Sequence, residues 1–556
     1  MSTSSTNAPS GEGLTEKQEI GPPDLVSVPG PENDGEFKAG KWEFMILGSM
    51  ALLNIILAVD ATILPPALPT LASSLNGTAI ETFWAGSSFL LANAVFVPFL
   101  GAVSDLFGRQ AVLLFSVTMF TAGTIVACLA TSFTTLLCGR TIQGVGAAGI
   151  YALSYIVTTD VIPLRQRPKY QSIIVAAWAL GTVIGPLTGG VVAEHTRWQW
   201  IFYVNFPFCA LGFLAVPIAF RRLKLQNQPA FTTALRRVDW VGSFLFISGT
   251  SSFLLGLTWG GVQYSWDSHQ TWLPILLGGL AILASLVYEA YLPSVPFIRL
   301  SVFGDVSARL VFLLGILGGF ELYTHLYYLP FYIIAVKGLS TTLTGVYIMA
   351  TTLLTVPVSV VTGVLMTRLG SFRWAIRLGF ACLAVSNGVL LLANQYRSLV
   401  AHLFLILTIS FGHGLIVLSL SIATQAIAKV RDTAHAVSMF TFLRQFGICL
   451  GVAVGGAVFE NVLLRALERR GLTHDVALGI ARNAASFTGP LNALPEGPQK
   501  TTFLDAYVEG FHAIFYLLLA LAAFSLFLSL FIKHHDMNKQ LASEHQLEGK
   551  PAAHGA

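Results

Sequence analysis

The sequence predicts an all-α membrane protein: fourteen spanning helices, arranged as two six-helix bundles plus two inserted helices. Three observations carry this. First, 54% of the 556 residues are hydrophobic and only 11% charged, against roughly a quarter charged in ordinary soluble domains; mean hydropathy is +0.69. Second, the apolar residues fall into runs that meet or approach the about 20 residues a helix needs to cross a bilayer. Third, a glycine pattern recurs in both halves of the chain. This composition excludes a soluble enzyme, a secreted disulfide scaffold and a disordered chain. A net charge of +4 leaves no basic footprint for nucleic acid. Cys128, Cys138, Cys209, Cys382 and Cys449 sit in apolar runs with no CxxC pair, so they read as small hydrophobes. No metal site and no cofactor are expected.

Residues 1–41 carry seven carboxylates against three lysines and no apolar run; they read as a disordered tail without a signal peptide. The first apolar run is then an uncleaved signal anchor. Spans are expected near 44–66, 82–103, 111–131, 136–159, 171–193 and 199–219, then 240–260 and 272–292, then 308–333, 344–366, 373–393, 399–427, 437–460 and 512–532. The corresponding organisation is a tail (1–41), a first bundle (42–220), a linker with two extra helices (221–300), a second bundle (301–533) and a short tail (534–556). An even count puts both termini on one side. Placing them in the cytoplasm gives the inner short loops sixteen Lys and Arg residues and the outer ones only Arg197, Lys337 and Arg397, as positive-inside topology requires. The long outer loop 461–511 fits worst, since Arg465, Arg469, Arg470 and Arg482 would face outward. The sequon Asn76-Gly77-Thr78 falls in the first outer loop, a glycosylation candidate.

The repeat is explicit. Gly181-x3-Gly185-x3-Gly189-Gly190 in helix 5 returns 266 residues later as Gly447-x3-Gly451-x3-Gly455-Gly456 in helix 13. Gly101-x3-Asp105-x2-Gly108-Arg109 after helix 2 has a counterpart in Gly363-x4-Arg368-x-Gly370 after helix 10. Duplicated bundles with a site at their interface are a transporter architecture.

Four patterns of the first half stand in register: Asp60-x-Thr62-Ile63-x4-Leu68-Pro69, Gly101 to Arg109, Arg140-x2-Gln143-Gly144-x-Gly146, and Gly181-x3-Gly185-Pro186-x2-Gly189-Gly190. Together they resemble the major facilitator superfamily, specifically its 14-helix drug:proton antiporters. Fungal-type touches agree: Trp198-x-Trp200-x-Phe202-Tyr203-x-Asn205-x-Pro207, Asp239-Trp240-x-Gly242, Trp259-Gly260-Gly261 and Tyr328-Leu329-Pro330. The resemblance covers nearly everything from 42 to 533. It implies the major facilitator fold and alternating access. It also implies that the proline-bearing helix 5 motif (Gly181, Gly185, Pro186, Gly189, Gly190) favours export.

Each candidate has a functional and a structural reading. Gly101, Asp105, Gly108 and Arg109 make a cytoplasmic turn that either only joins two helices or latches the halves until the inner gate opens. The helix 5 glycines leave a flat stripe that either packs another helix or serves as the antiporter motif. Asp60 and Arg140 lie at similar depth; buried charges in a bilayer pair or face water, so they form either a static ion pair or a coupling pair on a central cavity. Glu321, near the middle of helix 9, with His325 one turn on, is either a proton relay or a hydrogen-bonded helix contact; His413 is a weaker candidate.

No phosphate loop, HExxH or GxSxG occurs, so neither ATP chemistry nor an enzyme is expected. The reading is a secondary transporter, a monomer in the cell membrane or vacuole, exporting a small organic drug, toxin or secondary metabolite in exchange for protons. Proton-coupled uptake of a siderophore, or a non-transporting sensor on the same fold, are the alternatives.

Overall fold

Capping residues set where the helices start and stop. Ser132, Asp239, Asp305 and Ser340 each accept a backbone N–H of the first helical turn (Thr135, Gly242, Ser307 and Leu343). Gly338 and Gly370 end two helices in the left-handed region, φ 65° and 62°. Gly108, at φ 86°, turns the chain between two spans. The computed structural model describes residue 2, residues 37–538 apart from 76–78, 227–228, 261–262, 294–295, 395 and 397, and residues 545–547. Asn76 therefore lies outside the described residues.

The long helices are α1 Lys41–Ser74, α2 Ala79–Phe107, α3 Arg109–Cys128, α4 Phe133–Val161, α5 Arg167–His195 and α6 Asn205–Phe220, preceded by the single turn Trp200–Tyr203. The inserted pair follows, α7 Trp240–Trp259 and α8 His269–Tyr291. The second set is α9 Val306–Lys337, α10 Thr341–Leu369, α11 Arg373–Leu390, α12 Leu399–Ile427, α13 Thr433–Arg469 and α14 Pro498–Leu530. Among the described residues, twelve helices are long and apolar enough to cross a membrane. The expected fourteen exceed this by α10, which meets the apolar criterion only as the shorter run Leu353–Leu369, and by α11. The protein is a multi-pass membrane protein.

The stretch 461–511, read from the sequence as a loop, is largely helical. α13 continues to Arg469, α14 begins at Pro498, and His474–Arg482 and Ala484–Ala493 lie between them. Two of the arginines that strained the charge rule are answered here, since Arg469 and Arg470 each reach Glu509 at 2.6 Å.

Burial separates the roles of the helices. In the apolar window of α4, 83% of residues are buried, against 17% in α8, so α4 runs through the middle while α8 presents Leu276, Leu277, Leu280, Leu283 and Val287 outward. The inserted pair leans on both halves through α7: Trp259 meets Trp84 of α2, and Phe246 meets Phe442 of α13 at 5.0 Å between rings.

The repeated glycines do the same work in both halves. A side chain at Gly181 or Gly189 would strike the carbonyl of Ile55 or Ile63 on α1; one at Gly447 or Gly451 would strike that of Ile316 or Phe320 on α9. Backbones thus touch where only hydrogen fits. Gly190 has open space beside it. Gly189→Ala is expected to lower stability by about 1–3 kcal/mol, as overpacking does, whereas Gly190→Ala leaves it unchanged or raised. Thermal unfolding of the two purified variants checks this, and equal melting of both would refute the tight approach.

Candidate functional site

Asp60 on α1 and Arg140 on α4 meet as a buried ion pair, Nη1 to Oδ2 at 2.5 Å, with 0% and 1% of their side chains exposed. Neither is left with only that bond. Asn205 of α6 donates to Asp60 Oδ1 at 2.8 Å, and Gln143 donates to Thr124 of α3 at 2.8 Å while accepting from Arg140 at 2.9 Å. Arg140 Nε donates to the Ala85 carbonyl at 3.0 Å, and its guanidinium sits 4.4 Å from the Phe89 ring centroid. All these partners belong to the first half. The charges are fully answered inside one bundle, as buried charges among membrane-spanning helices require.

The second half places an imidazole–amide network on the equivalent helices. His325 of α9 contacts His413 of α12 at 3.2 Å through Nδ1, and Asn387 of α11 at 2.8 Å through Nε2. One turn back on α9, Glu321 is fully buried and neither carboxylate oxygen has a hydrogen-bond partner among the described residues. The structure brings Asp60 and Arg140 together, joins His325 to His413, and keeps these two sets in separate halves. Asn387 and Asn205 complete the networks; Asn205 stood in the Trp198–Pro207 motif without a role, and Asn387 offered only an amide in an apolar run.

At the end carrying most of the basic loops, Arg109 contacts Asp105 at 2.6 Å, Asp160 at 2.8 Å and Ser104 at 2.5 Å. Asp160, on the last turn of α4, was not among the sequence candidates although it is a carboxylate in an apolar run. The other half meets this cluster directly. His435 of α13 lies 3.8 Å from Asp105, a side chain at Gly101 would strike Ser438, and Arg167 of α5 donates to Gln425 of α12 at 3.3 Å. The halves are closed against each other at this end.

A strap from the C-terminal segment lies under the same cluster. Strand β1 (Leu223–Leu225) pairs antiparallel with β2 (His545–Leu547), Leu223 opposite Leu547 and Leu225 opposite His545. Met537 and Ile532 are buried on the way, and Arg165 donates to Asn538 at 2.7 Å. His545 is buried; desolvation and the nearby Arg109 charge hold its pKa down at about 4, against the pull of Asp160 and Asp105.

Two expectations follow. Asp60→Asn strands the Arg140 charge and should cost about 3–5 kcal/mol of stability, while Asp60→Asn with Arg140→Gln recovers part of it. Unfolding of the purified single and double variants decides; a single variant as stable as the parent would show the pair to be dispensable. The docked His545 binds its proton more weakly than the free side chain, so strap docking is complete above about pH 6.5 and weakens as pH falls toward about 4. Hydrogen exchange across 545–547 should quicken over that interval, and His545→Phe should flatten the dependence.

Comparison with known proteins agrees with this arrangement. The model of the Major Facilitator Superfamily matches residues 50–452. The chain is 38% identical over 516 residues to MFS transporter L2 of Phoma sp., covering 93% of this chain and 86% of that protein. It is 29% identical to the MFS-type efflux pump LUC4 of Fusarium sp., over 92% of this chain and 91% of the relative. Among solved structures, the human organic anion transporter MFSD10 (TETRAN) shares the fold at a TM-score of 0.57 and 16% identity, covering 88% of this chain and 100% of that one. The paired bundles and these matches place the chain in the Major Facilitator Superfamily of membrane transporters.

Proposed function

We propose that this transporter exports a bulky organic compound, a drug, toxin or secondary metabolite, in exchange for protons. It works from the cell membrane as a monomer of fourteen spans, with both termini in the cytoplasm. The basic end is then the cytoplasmic gate, with Asp105, Arg109 and Gly101 as its latch. Opening it requires His435 and Ser438 to leave Asp105 and Gly101, after which the halves rock to expose the midplane.

The observation that carries the reading is Glu321. A carboxylate with no partner cannot stay charged at 0% exposure, so in the closed state this group holds a proton. Rocking that lets in water, or that brings the His325–His413 pair within reach, releases it. The imidazoles, joined to each other and to Asn387, supply a relay on the same three helices. Asp60 and Arg140, locked by Asn205 and Gln143, serve as the rigid counterpart in the first half. The stripe Gly181, Gly185 and Gly189, with Pro186 between, supports export over uptake by holding α5 against α1. Relatives named as fungal efflux pumps support the same direction.

Proteoliposomes holding the purified protein and a pH-sensitive dye test this, with candidate metabolites screened under an imposed gradient. A compound should move against its own gradient only while the proton gradient lasts. Glu321→Gln should cut gradient-driven transport about tenfold or more, equal to about 1.4 kcal/mol, while leaving exchange of compound across the membrane intact. Transport indifferent to gradient collapse would defeat the proposal.

A further inference from the structure

Arg444, on α13, is a cation with no anion beside it among the described residues. Its side chain is buried, with 9% exposed, yet no carboxylate lies within ion-pair distance among the described residues. Its hydrogen-bond partner is a phenol: Nη1 donates to Tyr151 Oη at 2.9 Å, the hydroxyls of Tyr155 and Tyr323 lie close by, and the imidazole of His413 is near enough to interact with its charge. Glu321, on the adjacent α9, is not one of them. The surroundings are aromatic. Tyr151 packs against Tyr155 at 5.4 Å and against Trp178 of α5 at 5.3 Å between ring centroids. Tyr151 and Tyr155 stand on α4, Trp178 on α5 and Tyr323 on α9, so both halves contribute walls and the guanidinium bridges them.

A neutral phenol is a poor substitute for an anion, and a buried charge without a counter-ion is expensive. Arg140, in the same protein, shows what a permanently answered arginine looks like: a carboxylate, a carbonyl and an amide oxygen at hydrogen-bond distance. Arg444 has none of these and stands where the halves meet, so its missing anion is one that comes and goes. We propose that Arg444 is the head-group site of the substrate, and that the exported compound is an organic anion: a carboxylate on a flat, apolar or aromatic body. The carboxylate displaces the Tyr151 hydroxyl and takes two parallel N–H bonds from the guanidinium. The body stacks among Tyr155, Trp178 and Tyr323. Displacing Tyr151 also removes a bond across the halves, so loading loosens their contact. This inference rests on the transport reading, and it concerns binding alone.

Equilibrium binding to the purified full-length protein in nanodiscs is the test, with empty nanodiscs subtracted. The probes are 2-naphthoate and pyrene-1-butyrate, each against its primary amide. The parent protein should hold the acids at least about tenfold more tightly than the amides, equal to about 1.4 kcal/mol. Arg444→Gln should erase that preference and Arg444→Lys keep part of it. Tyr151→Phe, which leaves the guanidinium without its phenol, should retain or strengthen it. Equal binding of acids and amides by the parent, no binding of either acid, or a preference surviving Arg444→Gln in a variant that melts like the parent, would each overturn the proposal. A failure of proton coupling would leave the acid preference standing, so the two readings fail separately.

Discussion

An ionised side chain among lipid-facing helices must find its answer locally, because neither water nor distant charge can supply one. Three solutions stand side by side in this fold. In the first half Asp60 and Arg140 neutralise each other, and amides and a carbonyl take up their remaining bonds. In the second half the equivalent helices carry His325, His413 and Asn387, which need no charge to satisfy one another. At the basic end Arg109 gathers Asp105, Asp160 and Ser104. Residues that depart from these solutions, Glu321 without a partner and Arg444 without an anion, are where a change of state has something to act on.

The duplication explains why the arrangement is so regular. α5 closes on α1 and α13 on α9 through glycines at the same spacing, so each half holds its own long helix pair at backbone contact. Pairs fixed this tightly move as bodies. The surface between halves is mixed: polar contacts of Asp105 with His435, Arg167 with Gln425 and Tyr151 with Arg444 stand among buried apolar residues of one continuous core, and Gly363 of α10 lies against the Pro168 backbone of α5.

Much of this was legible in the sequence, for physical reasons. Apolar runs report spans because hydrocarbon tolerates little else, and the equal depth of Asp60 and Arg140 followed from their distance to the helix ends. Glycine spacing reported backbone contact. Long-range partners were not legible. Asn205, Gln143, Asn387 and Asp160 meet their networks through tertiary packing, and one polar residue in an apolar helix does not say which neighbour it faces. Arg444 is likewise one polar residue in an apolar helix, and its phenol partner lies on α4, 293 residues away in sequence. Between 470 and 497 the helices are too short and amphipathic to register as spans, so a loop was expected where His474–Arg482 and Ala484–Ala493 form.

The strap has a consequence for how the molecule is made. Leu223 lies before the inserted helices and its partner Leu547 near the chain's end, so β1 must wait through most of translation with an unpaired edge. The strands can join only after the second bundle, which precedes β2 in the chain, has been synthesised. Pairing of β1 with β2 beside the Arg109 cluster is thus a late event in biogenesis, since His545 emerges only after every long helix has been made.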